Sequence, residues 1–299
     1  MKILMTGGTG LIGRALLPHF SRDEVIILSR NPARAYQQLG HHIKVIESLD
    51  VLPNFDDIDV VINLAGEPIA QKRWTENQKK VISDSRWALT EAITEKIMAS
   101  DHPPHTFISG SAVGYYGDQQ EREIDENLEV DTPEFAHQVC ARWEEKALQA
   151  QSMQTRVCIL RTGVVLSRHG GALSKLLPIY QLGLGGPIGN GRQYFPWIHV
   201  QDMVRGILFL LKQPQTQGVY NFAAPNTVTN REFSATLAKV LRRPHILMTP
   251  EWAIRISMGE SSCLLLDSQK VVPKRLQDAG YNFSFPKLEP ALKETLFDY

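Results

Sequence analysis

Short, uniformly apolar runs alternate along the chain with longer segments in which apolar residues recur at helical spacing. Uniform apolarity is typical of parallel strands that helices cover on both faces. The runs predict six strands in the first part of the chain, at residues 2–6, 25–30, 42–47, 59–66, 106–109 (where the fifth strand starts) and 155–161.

The segments between these runs carry the period of amphipathic helices. One helix is predicted over residues 11–20, although Pro18 falls inside it. A long helix begins at the capping box Thr75-x-x-Gln78, and another spans about residues 134–149. Strands that alternate with helices predict an α/β fold, a doubly wound parallel sheet of the Rossmann type with right-handed crossovers.

This alternation changes after Arg161. Residues 163–198 are rich in glycine and predict a long loop, and loops of that length in a compact domain are usually functional. We therefore predict two domains. Residues 1–165 with 199–225 form the doubly wound domain, and residues 166–198 with 226–299 form a smaller C-terminal α/β domain.

A glycine-rich turn joins the first predicted strand to the first helix. Its glycines stand three residues apart, which serves a tight turn, a close approach of backbone to a pyrophosphate and a helix–strand contact. The helix N-terminus then offers N–H groups to the phosphates. Because the turn lies between a strand and a helix, it predicts a dinucleotide site. The residues assigned to this site are Gly7, Thr9, Gly10, Leu11, Ile12 and Gly13.

The end of the second strand indicates which dinucleotide is bound. NAD-binding folds place an acidic residue there to hold the ribose 2′-hydroxyl, whereas an arginine accommodates a 2′-phosphate. Residues 25–30 contain no Asp or Glu and end in Ser29-Arg30. A guanidinium pairs well with a phosphate and the serine can add a hydroxyl, so we predict NADP(H). The alternative is that Arg30 is an ordinary surface arginine.

Composition and charge exclude several classes of partner. The chain has 32 basic and 32 acidic residues among 299, so nothing in its net charge favours nucleic acid or an anionic membrane. No apolar stretch reaches the length of about 20 residues needed to span a bilayer. Gly7 interrupts the first apolar run too early for a signal peptide. Three widely spaced cysteines indicate neither a disulfide framework nor a zinc site. We expect a cytoplasmic enzyme.

Several motifs together resemble the extended short-chain dehydrogenase/reductases of the NAD(P)-dependent epimerase/dehydratase superfamily. They cover nearly the whole chain and are closest to an atypical, sugar-nucleotide-epimerase-like branch with a C-terminal domain of unknown function. The motifs are Asn63-Leu64-Ala65-Gly66-Glu67-Pro68-Ile69, Arg73-Trp74, Ser85-Arg86, Ser109-Gly110-Ser111, Tyr115-Tyr116-Gly117, Arg161-Thr162-Gly163, Trp197–Asp202, Pro273-Lys274-Arg275-Leu276 and Ala279-Gly280-Tyr281.

The resemblance implies further cofactor contacts after successive strands. Those expected near the adenine are Ser48 and Leu49, and those expected beside the adenosine and pyrophosphate are Leu64, Ala65 and Gly66. Val164 and Val165 would approach the nicotinamide. Glu67 and Arg73 would add contacts from the loop after the fourth strand, unless they form a surface salt bridge.

The chemistry that the resemblance implies uses a serine, a tyrosine and a lysine four residues after the tyrosine. Ser111 fits the serine position. The expected helix, however, contains no tyrosine, and Val139-Cys140 stand where the lysine would be. None of the eight tyrosines has a lysine four residues later. The usual acid/base pair is therefore missing.

Other residues could take over the proton transfer. Tyr115 or Tyr116 could supply a proton, or both could be packing residues. His199 could act near neutral pH, or it could be a structural histidine hydrogen-bonded at a helix entry with Asp202. Cys140 could be a reactive thiol or a small buried hydrophobe. Ser111 could contact a ligand or only satisfy backbone groups.

Two functions therefore compete. The first is an NADP(H)-dependent oxidoreductase or epimerase that acts on a small polar substrate, for which a nucleotide-linked sugar is one candidate. The glycine-rich segment 183–191 with Arg192 would bind a substrate phosphate, unless it is a plain connector. The second is a non-catalytic NADP(H)-binding sensor or regulatory protein, because the tyrosine–lysine pair is lost while the glycine turn is kept. We expect no metal, and the helix from Thr75 could mediate a homodimer.

Overall fold

A computed structural model of the chain describes residues 1–297 and has a seven-stranded parallel sheet at its centre. The strands that form it are β1 (Lys2–Thr6), β2 (Glu24–Leu28), β3 (Lys44–Ile46), β4 (Val60–Asn63), β5 (Thr106–Ala112), β7 (Arg156–Thr162) and β11 (Gly218–Phe222). Their order across the sheet is β11-β7-β5-β4-β1-β2-β3. The predicted α/β class and Rossmann-type sheet are confirmed.

Three two-stranded sheets lie outside the central one. They pair β6 (Glu123–Ile124) with β13 (Lys270–Val271), β8 (Val164–Leu166) with β10 (Trp197–His199), and β9 (Tyr194–Phe195) with β12 (Val228–Thr229). Only the last of these pairs is antiparallel.

Four short 3₁₀ segments and eleven α-helices lie within the described residues 1–297. They are α1 (Leu11–Leu16), α2 (Pro32–Leu39), α3 (Glu76–Met98), α4 (Phe135–Leu148), α5 (Gly171–Gln181), α6 (Val200–Lys212), α7 (Asn230–Val240), α8 (Glu251–Met258), α9 (Cys263–Leu266), α10 (Lys274–Asp278) and α11 (Leu288–Phe297). Within residues 1–297, no helix is both long and apolar enough to cross a bilayer.

Alternate side chains of the central strands enter two separate apolar clusters. Ile3 and Met5 point into one cluster and Leu4 into the other, and all three side chains are fully buried. This is the two-sided burial that the uniformly apolar runs predict. The strand order reverses between β1 and β4, and in open α/β sheets ligands bind at that reversal, outside the carboxyl ends of the strands.

The first predicted helix is wrong in its length. Helix α1 ends at Leu16, and Pro18 sits in a 3₁₀ turn over Leu17–Phe20. A proline lacks the N–H that an α-helix needs at this point, whereas the start of a short 3₁₀ turn tolerates it. The strand ends also lie earlier than predicted, because β2 stops at Leu28 and β4 at Asn63.

The long loop predicted for residues 163–198 is wrong as well. The segment contains β8, β9, β10 and helix α5, and only its middle part is irregular. The loop was predicted from the many glycines of this segment. Leu173 and Leu177 of α5 are nevertheless buried in a third apolar cluster.

That third cluster lies apart from the two clusters that cover the central sheet, and the division into two domains stays a prediction. Its buried side chains come largely from α5, α7 and α11, outside the central sheet. Residues 298–299, which the domain prediction includes, lie outside the described residues.

Candidate functional site

The glycine turn is packed so closely that side chains would not fit. Gly7 has a φ of +70°, and a Cβ placed on it would lie 2.6 Å from the carbonyl carbon of Leu64. A Cβ on Gly13 would lie 2.4 Å from the carbonyl oxygen of Gly7. Contacts this short exclude any side chain, so the glycines bring the turn, helix α1 and the loop after β4 together.

Helix α1 begins beside that turn without a side-chain cap. Its N-cap is Gly10, whose extended backbone makes no side-chain hydrogen bond, and Gly10 N donates instead to Gly7 O at 2.9 Å. Among residues 1–297, the backbone N–H groups of Leu11 and Ile12 at the start of the helix have no hydrogen-bond acceptor. Thr9 lies in the turn itself. Of the cofactor contacts predicted here, all six residues lie together.

A buried polar chain holds the loop after β4 against this turn. Thr6 Oγ1 donates to Asn63 Oδ1 at 2.7 Å, and Asn63 Nδ2 donates to Thr90 Oγ1 at 2.8 Å. Thr6 Oγ1 also accepts from the backbone N–H of Ala65 at 3.2 Å. Leu64, Ala65 and Gly66 consequently sit at the sheet's strand-order reversal, and their contacts with the adenosine and pyrophosphate stay predictions.

Ser29 and Arg30 follow the end of β2, next to β1. Ser29 Oγ is 3.2 Å from Asn31 O and 3.3 Å from Asn31 N, so it shapes the turn into α2. Arg30 is exposed, and we find no ion pair for it in the described part of the chain. No acidic side chain lies on this strand end after Glu24 at its start. The guanidinium of Arg30 is thus available to an anion.

Ser48 and Leu49 follow β3, but their side chains make contacts within the protein. Ser48 caps a 3₁₀ turn by accepting from Asp50 N at 3.1 Å. Leu49 is only 7% exposed and packs in an apolar cluster, so any adenine contact from it would come from its backbone.

The three remaining predicted cofactor contacts, Glu67, Arg73 and Val164, lie in different surroundings. Glu67 Oε1 lies 3.8 Å from Lys72 Nζ rather than pairing with Arg73. Arg73 is exposed, and its Nη2 would be 2.9 Å from a Cβ at Gly259, so it lies toward the C-terminal part of the chain. Val164 begins β8 directly after the end of β7 and is half-buried there, near the carboxyl end of β5.

Two of the three predicted catalytic residues, Ser111 and Tyr116, belong to a buried hydrogen-bond network. Ser111 Oγ donates to Glu144 Oε1 at 2.5 Å, and Glu144 accepts two bonds from Arg161, at 2.9 and 2.7 Å. Arg161 Nη1 donates to the Tyr116 hydroxyl at 3.0 Å, which donates to Asn221 Oδ1 at 2.7 Å. Each of these five residues is at most 5% exposed. We call them the Ser111–Asn221 network.

Electrostatics keep Arg161 charged and the Tyr116 phenol neutral at neutral pH. Burial alone would lower the pKa of Arg161, but the hydrogen bond and charge of Glu144 outweigh it and raise that pKa. Burial raises the pKa of Tyr116 to about 12, despite the opposing charge of Arg161. A phenol of that pKa inside a filled network is poorly suited to proton transfer at neutral pH. The catalytic roles of Ser111 and Tyr116 stay predictions.

Tyr115 differs from its neighbour. Its ring is half-buried under the guanidinium of Arg161, with Cζ 3.4 Å from the ring centroid, and its carbonyl oxygen lies 2.6 Å from His137 Nδ1. Among residues 1–297 we find no hydrogen-bond partner for its hydroxyl. Tyr115 is therefore the catalytic candidate whose hydroxyl is available to a substrate.

The surroundings of Cys140 and His199, the two alternative candidates for proton transfer, favour structural roles. Burial raises the pKa of the Cys140 thiol to about 11, which makes it a poor nucleophile. His199 Nδ1 accepts from Gln201 N at 3.2 Å and caps α6, while its Nε2 lies 2.5 Å from Glu294 Oε2, so the ring pairs with Glu294 rather than with Asp202. Burial lowers the pKa of His199 in spite of Glu294, which favours the neutral ring. Within residues 1–297 no cluster of metal ligands occurs.

Comparison with known proteins identifies the family. A profile of the NAD-dependent epimerase/dehydratase family matches residues 3–223, and a profile of a domain of unknown function (DUF1731) matches residues 249–295. The chain belongs to the NAD-dependent epimerase/dehydratase family. The predicted resemblance is confirmed, including the C-terminal domain of unknown function.

Relatives match this chain along its whole length. Epimerase family protein SDR39U1 of Mus musculus is 39% identical over 301 residues, which cover 99% of this chain and 100% of the relative. An epimerase family protein of Staphylococcus saprophyticus is 38% identical over 297 residues, 97% of this chain and 98% of the relative.

Solved structures agree with this assignment. The crystal structure of human epimerase family protein SDR39U1 with NADPH superposes with a TM-score of 0.92 at 34% identity and covers 100% of both chains. The nucleoside-diphosphate sugar epimerase of Corynebacterium glutamicum gives 0.79 at 28% identity, covering 99% of this chain and 58% of that one.

The sequence did not single out Glu144 or Asn221 as site residues. Glu144 is an acid on a buried helix face and Arg161 a base inside an apolar strand, and such charges need partners. That signal marks both residues for pairing, but their separation of 17 positions gives no reason to pair them with each other.

Proposed function

We propose that this protein binds NADP(H) in the crevice between β1 and β4 and uses it in hydride transfer with a small polar substrate. The observation that carries the proposal is the glycine cradle, where a Cβ at Gly7 or Gly13 would collide with the backbone of the turn or of the loop after β4, so that only glycine allows this close approach. The human relative, whose structure contains NADPH, supports the choice of dinucleotide.

The residues present fit the dinucleotide. Gly10, Leu11 and Ile12 would face the pyrophosphate with backbone N–H groups, and Arg30 would pair with the 2′-phosphate. When bound, the nicotinamide supplies or accepts the hydride. Leu64 and Gly66 would keep the middle of the ligand against the sheet, and Val164 would limit the nicotinamide side.

The chain's own contribution to proton transfer would come from Tyr115. Its hydroxyl can donate to or accept from a carbonyl or hydroxyl group of the substrate, while Arg161 above the ring holds the phenol in place. The Corynebacterium glutamicum relative is named a nucleoside-diphosphate sugar epimerase, so a nucleotide-linked sugar is the substrate class to test first.

A cofactor titration followed by a turnover assay tests this proposal. The purified chain is titrated with NADPH and with NADH, and NADPH is expected to bind more tightly by at least about tenfold, the value of one charge-assisted contact. The NADPH complex is then offered nucleotide sugars and simple carbonyl compounds while absorbance of the reduced nicotinamide is followed. Equal affinity for both dinucleotides would refute the choice of cofactor.

A second candidate is a non-catalytic NADP(H)-binding regulatory protein. The observation in its favour is the Ser111–Asn221 network, which occupies two of the three predicted catalytic side chains with internal partners. This candidate expects tight NADPH binding with no hydride transfer to any of the substrates. Turnover that Tyr115→Phe abolishes without changing NADPH affinity would decide for the enzyme.

A further inference from the structure

Eight large apolar side chains are exposed on three neighbouring segments of the C-terminal part of the chain. They lie at the end of α5, in the segment before α8 and on α8 itself, and each is 47–84% exposed. Single exposed apolar side chains are common on protein surfaces, whereas a group of this size marks a contact surface. We call the group the Ile179–Ile256 surface, and its members are Ile179, Leu182, Leu184, Ile246, Leu247, Met248, Trp252 and Ile256.

Backbone contacts hold the first two of these segments side by side. A Cβ on Gly186 would lie 1.5 Å from the carbonyl oxygen of Leu247, so the segment after α5 passes directly against the segment before α8. Thr249 N then donates to Pro187 O at 2.9 Å, just before α8 begins. The Ile179–Ile256 surface is therefore a continuous part of the fold.

Helix α8 adds an outward apolar face to this surface. Trp252 and Ile256 are four residues apart, so they lie on the same face of the helix, and both are exposed. Ile254 and Met258 lie on the opposite face and are half-buried. Within α8, Glu251–Met258, no residue is fully buried. The half-buried face packs on the protein, and the face that contains Trp252 is left for a partner.

A local excess of positive charge accompanies these side chains, although the net charge of the chain is zero. Residues 175–192 and 242–250 contain no Asp or Glu, and Glu251, the next acid along the chain, pairs with Arg255 at 2.7 Å. The cations of these two segments are all exposed, and among residues 1–297 we find no hydrogen bond or ion pair made by their side chains. They are Lys175, Arg192, Arg242 and Arg243.

This charge decides which occupant fits the surface. A second copy of the chain, bound through the same face about a two-fold axis, would bring the same four cations together, which is unfavourable. An anionic occupant would pair with them. Because their side chains are not fixed by any contact in residues 1–297, they can follow mobile lipid headgroups, whereas a folded acidic protein would need carboxylates at fixed positions. Tryptophan and aliphatic residues flanked by arginine and lysine are typical of segments that lie in a membrane interface.

We propose that the Ile179–Ile256 surface docks the protein on an anionic phospholipid membrane. Its apolar side chains enter the boundary between headgroups and acyl chains, and the four cations contact the lipid phosphates. The proposal is independent of the dinucleotide site, since none of its apolar side chains belongs to the glycine turn or to the Ser111–Asn221 network.

Co-sedimentation with vesicles tests the contact. The full chain is mixed with vesicles of phosphatidylcholine alone, or of phosphatidylcholine with about one third of the anionic lipid phosphatidylglycerol. We expect the partition coefficient to be at least about tenfold higher for the mixed vesicles, and to fall when the salt concentration is raised, because salt screens the attraction.

Trp252 provides a direct readout of docking. It is 67% exposed, whereas Trp74, Trp143 and Trp197 are at most 7% exposed and Trp87 is half-buried. Insertion should shift the tryptophan emission to shorter wavelength, and lipids with brominated acyl chains should quench it. Trp252→Phe should sediment with the mixed vesicles as before but lose both fluorescence signals.

Two double variants separate the charged from the apolar contribution. The first combines Arg242→Glu with Arg243→Glu, and the second combines Trp252→Ser with Ile256→Ser. Each is expected to lower the partition coefficient for the mixed vesicles by at least about tenfold. Because all four side chains are exposed, both variants should fold, and unchanged melting temperatures would confirm it.

Matched controls change exposed residues of other segments. Arg22→Glu combined with Lys80→Glu, and separately Met153→Ser, should leave the partition coefficient unchanged. Failure to bind the mixed vesicles, equal binding to both kinds of vesicle, or binding that both double variants retain would overturn the proposal. A lipid-free dimer that Trp252→Ser with Ile256→Ser dissociates would assign the surface to a second copy, and would overturn it as well.

Discussion

Ser111 Oγ donates to Glu144 Oε1 over 2.5 Å, at a strand end where the family resemblance implies a serine that orients a substrate carbonyl. Glu144 is held in turn by both nitrogens of the Arg161 fork. A hydroxyl engaged by an ionised, buried carboxylate is not available to a neutral carbonyl without losing a stronger bond. The serine is kept while its surroundings give it a different partner.

This relationship predicts a structural effect for Ser111→Ala. Loss of the hydroxyl removes one charge-assisted bond but leaves both Arg161 bonds, so the free energy of unfolding should fall by about 1.5 kcal/mol. The dissociation constant for NADPH should change by less than about twofold, which at roughly 1.4 kcal/mol per tenfold is under half a kcal/mol. Urea denaturation and NADPH titration measure the two effects.

Ser109→Ala is the matched control for that variant. Ser109 is also buried on β5, but its Oγ donates to the neutral carbonyl of Gly110 at 3.3 Å, so its loss should cost less. A Ser111→Ala variant of unchanged stability and strongly weakened ligand binding would show that Ser111 contacts the ligand after all.

Arg30→Ala should remove the preference for the phosphorylated dinucleotide. Arg30 is exposed at the end of β2, and pairing with a 2′-phosphate is worth about 1.5–3 kcal/mol, or roughly 10- to 150-fold in affinity. We expect NADPH to bind more weakly by that factor and NADH to bind as before. Arg22→Ala, an exposed arginine before the opposite end of β2, should leave both affinities unchanged. A preference that survives Arg30→Ala would assign the 2′-phosphate to another group.

Gly13→Ala should disrupt the cradle itself. The added methyl would lie 2.4 Å from Gly7 O and 2.6 Å from Gly8 Cα, so the backbone of the turn must shift. Overpacking of this kind costs about 1–3 kcal/mol of stability, and we expect NADPH affinity to fall at least as far. Gly114→Ala, whose methyl would meet Ala136 Cβ at an ordinary 3.4 Å, should leave NADPH affinity nearly unchanged. Normal NADPH binding by Gly13→Ala would contradict the proposed cradle.

The parts of this molecule that the sequence predicted are those encoded by local patterns. The turn from Gly7 to Gly13 and the pair Ser29-Arg30 after β2 can each be recognised from a few neighbouring positions in the sequence. The apolar runs likewise set the strands, because burial on both faces leaves no alternative periodicity.

The Ser111–Asn221 network could not be predicted in the same way. Tyr116 and Asn221 are 105 positions apart, and their contact exists only because β5, β7 and β11 are neighbours in the sheet. The loop prediction for residues 163–198 is wrong for the opposite reason. The glycines of this segment are the strongest local feature and predict a loop. Tertiary packing of Leu173 and Leu177 stabilises a helix there instead.

Asp267 links pH to stability where the C-terminal part of the chain meets the segment before α4. Burial raises the pKa of its carboxyl to about 7, and the charges of Glu134 and Asp118 act in the same direction against Arg255. The folded chain therefore retains a proton that the unfolded chain releases near pH 4. Stability must fall as the pH rises from about 4 to 7, and the penalty is complete above the folded pKa.

Asp267→Asn should remove that penalty, because the amide cannot ionise. The variant is expected to melt a few degrees above the unmodified chain at pH 8, and the difference should shrink as the pH falls from 7 toward 4. Asp131→Asn, at an exposed position, controls for the general effect of losing a negative charge. Melting curves between pH 4 and 8 that keep a constant difference would contradict a raised pKa of Asp267. An Asp267→Asn variant that is less stable at pH 8 would show that the ionised carboxylate is stabilised in the folded chain by the charge of Arg255.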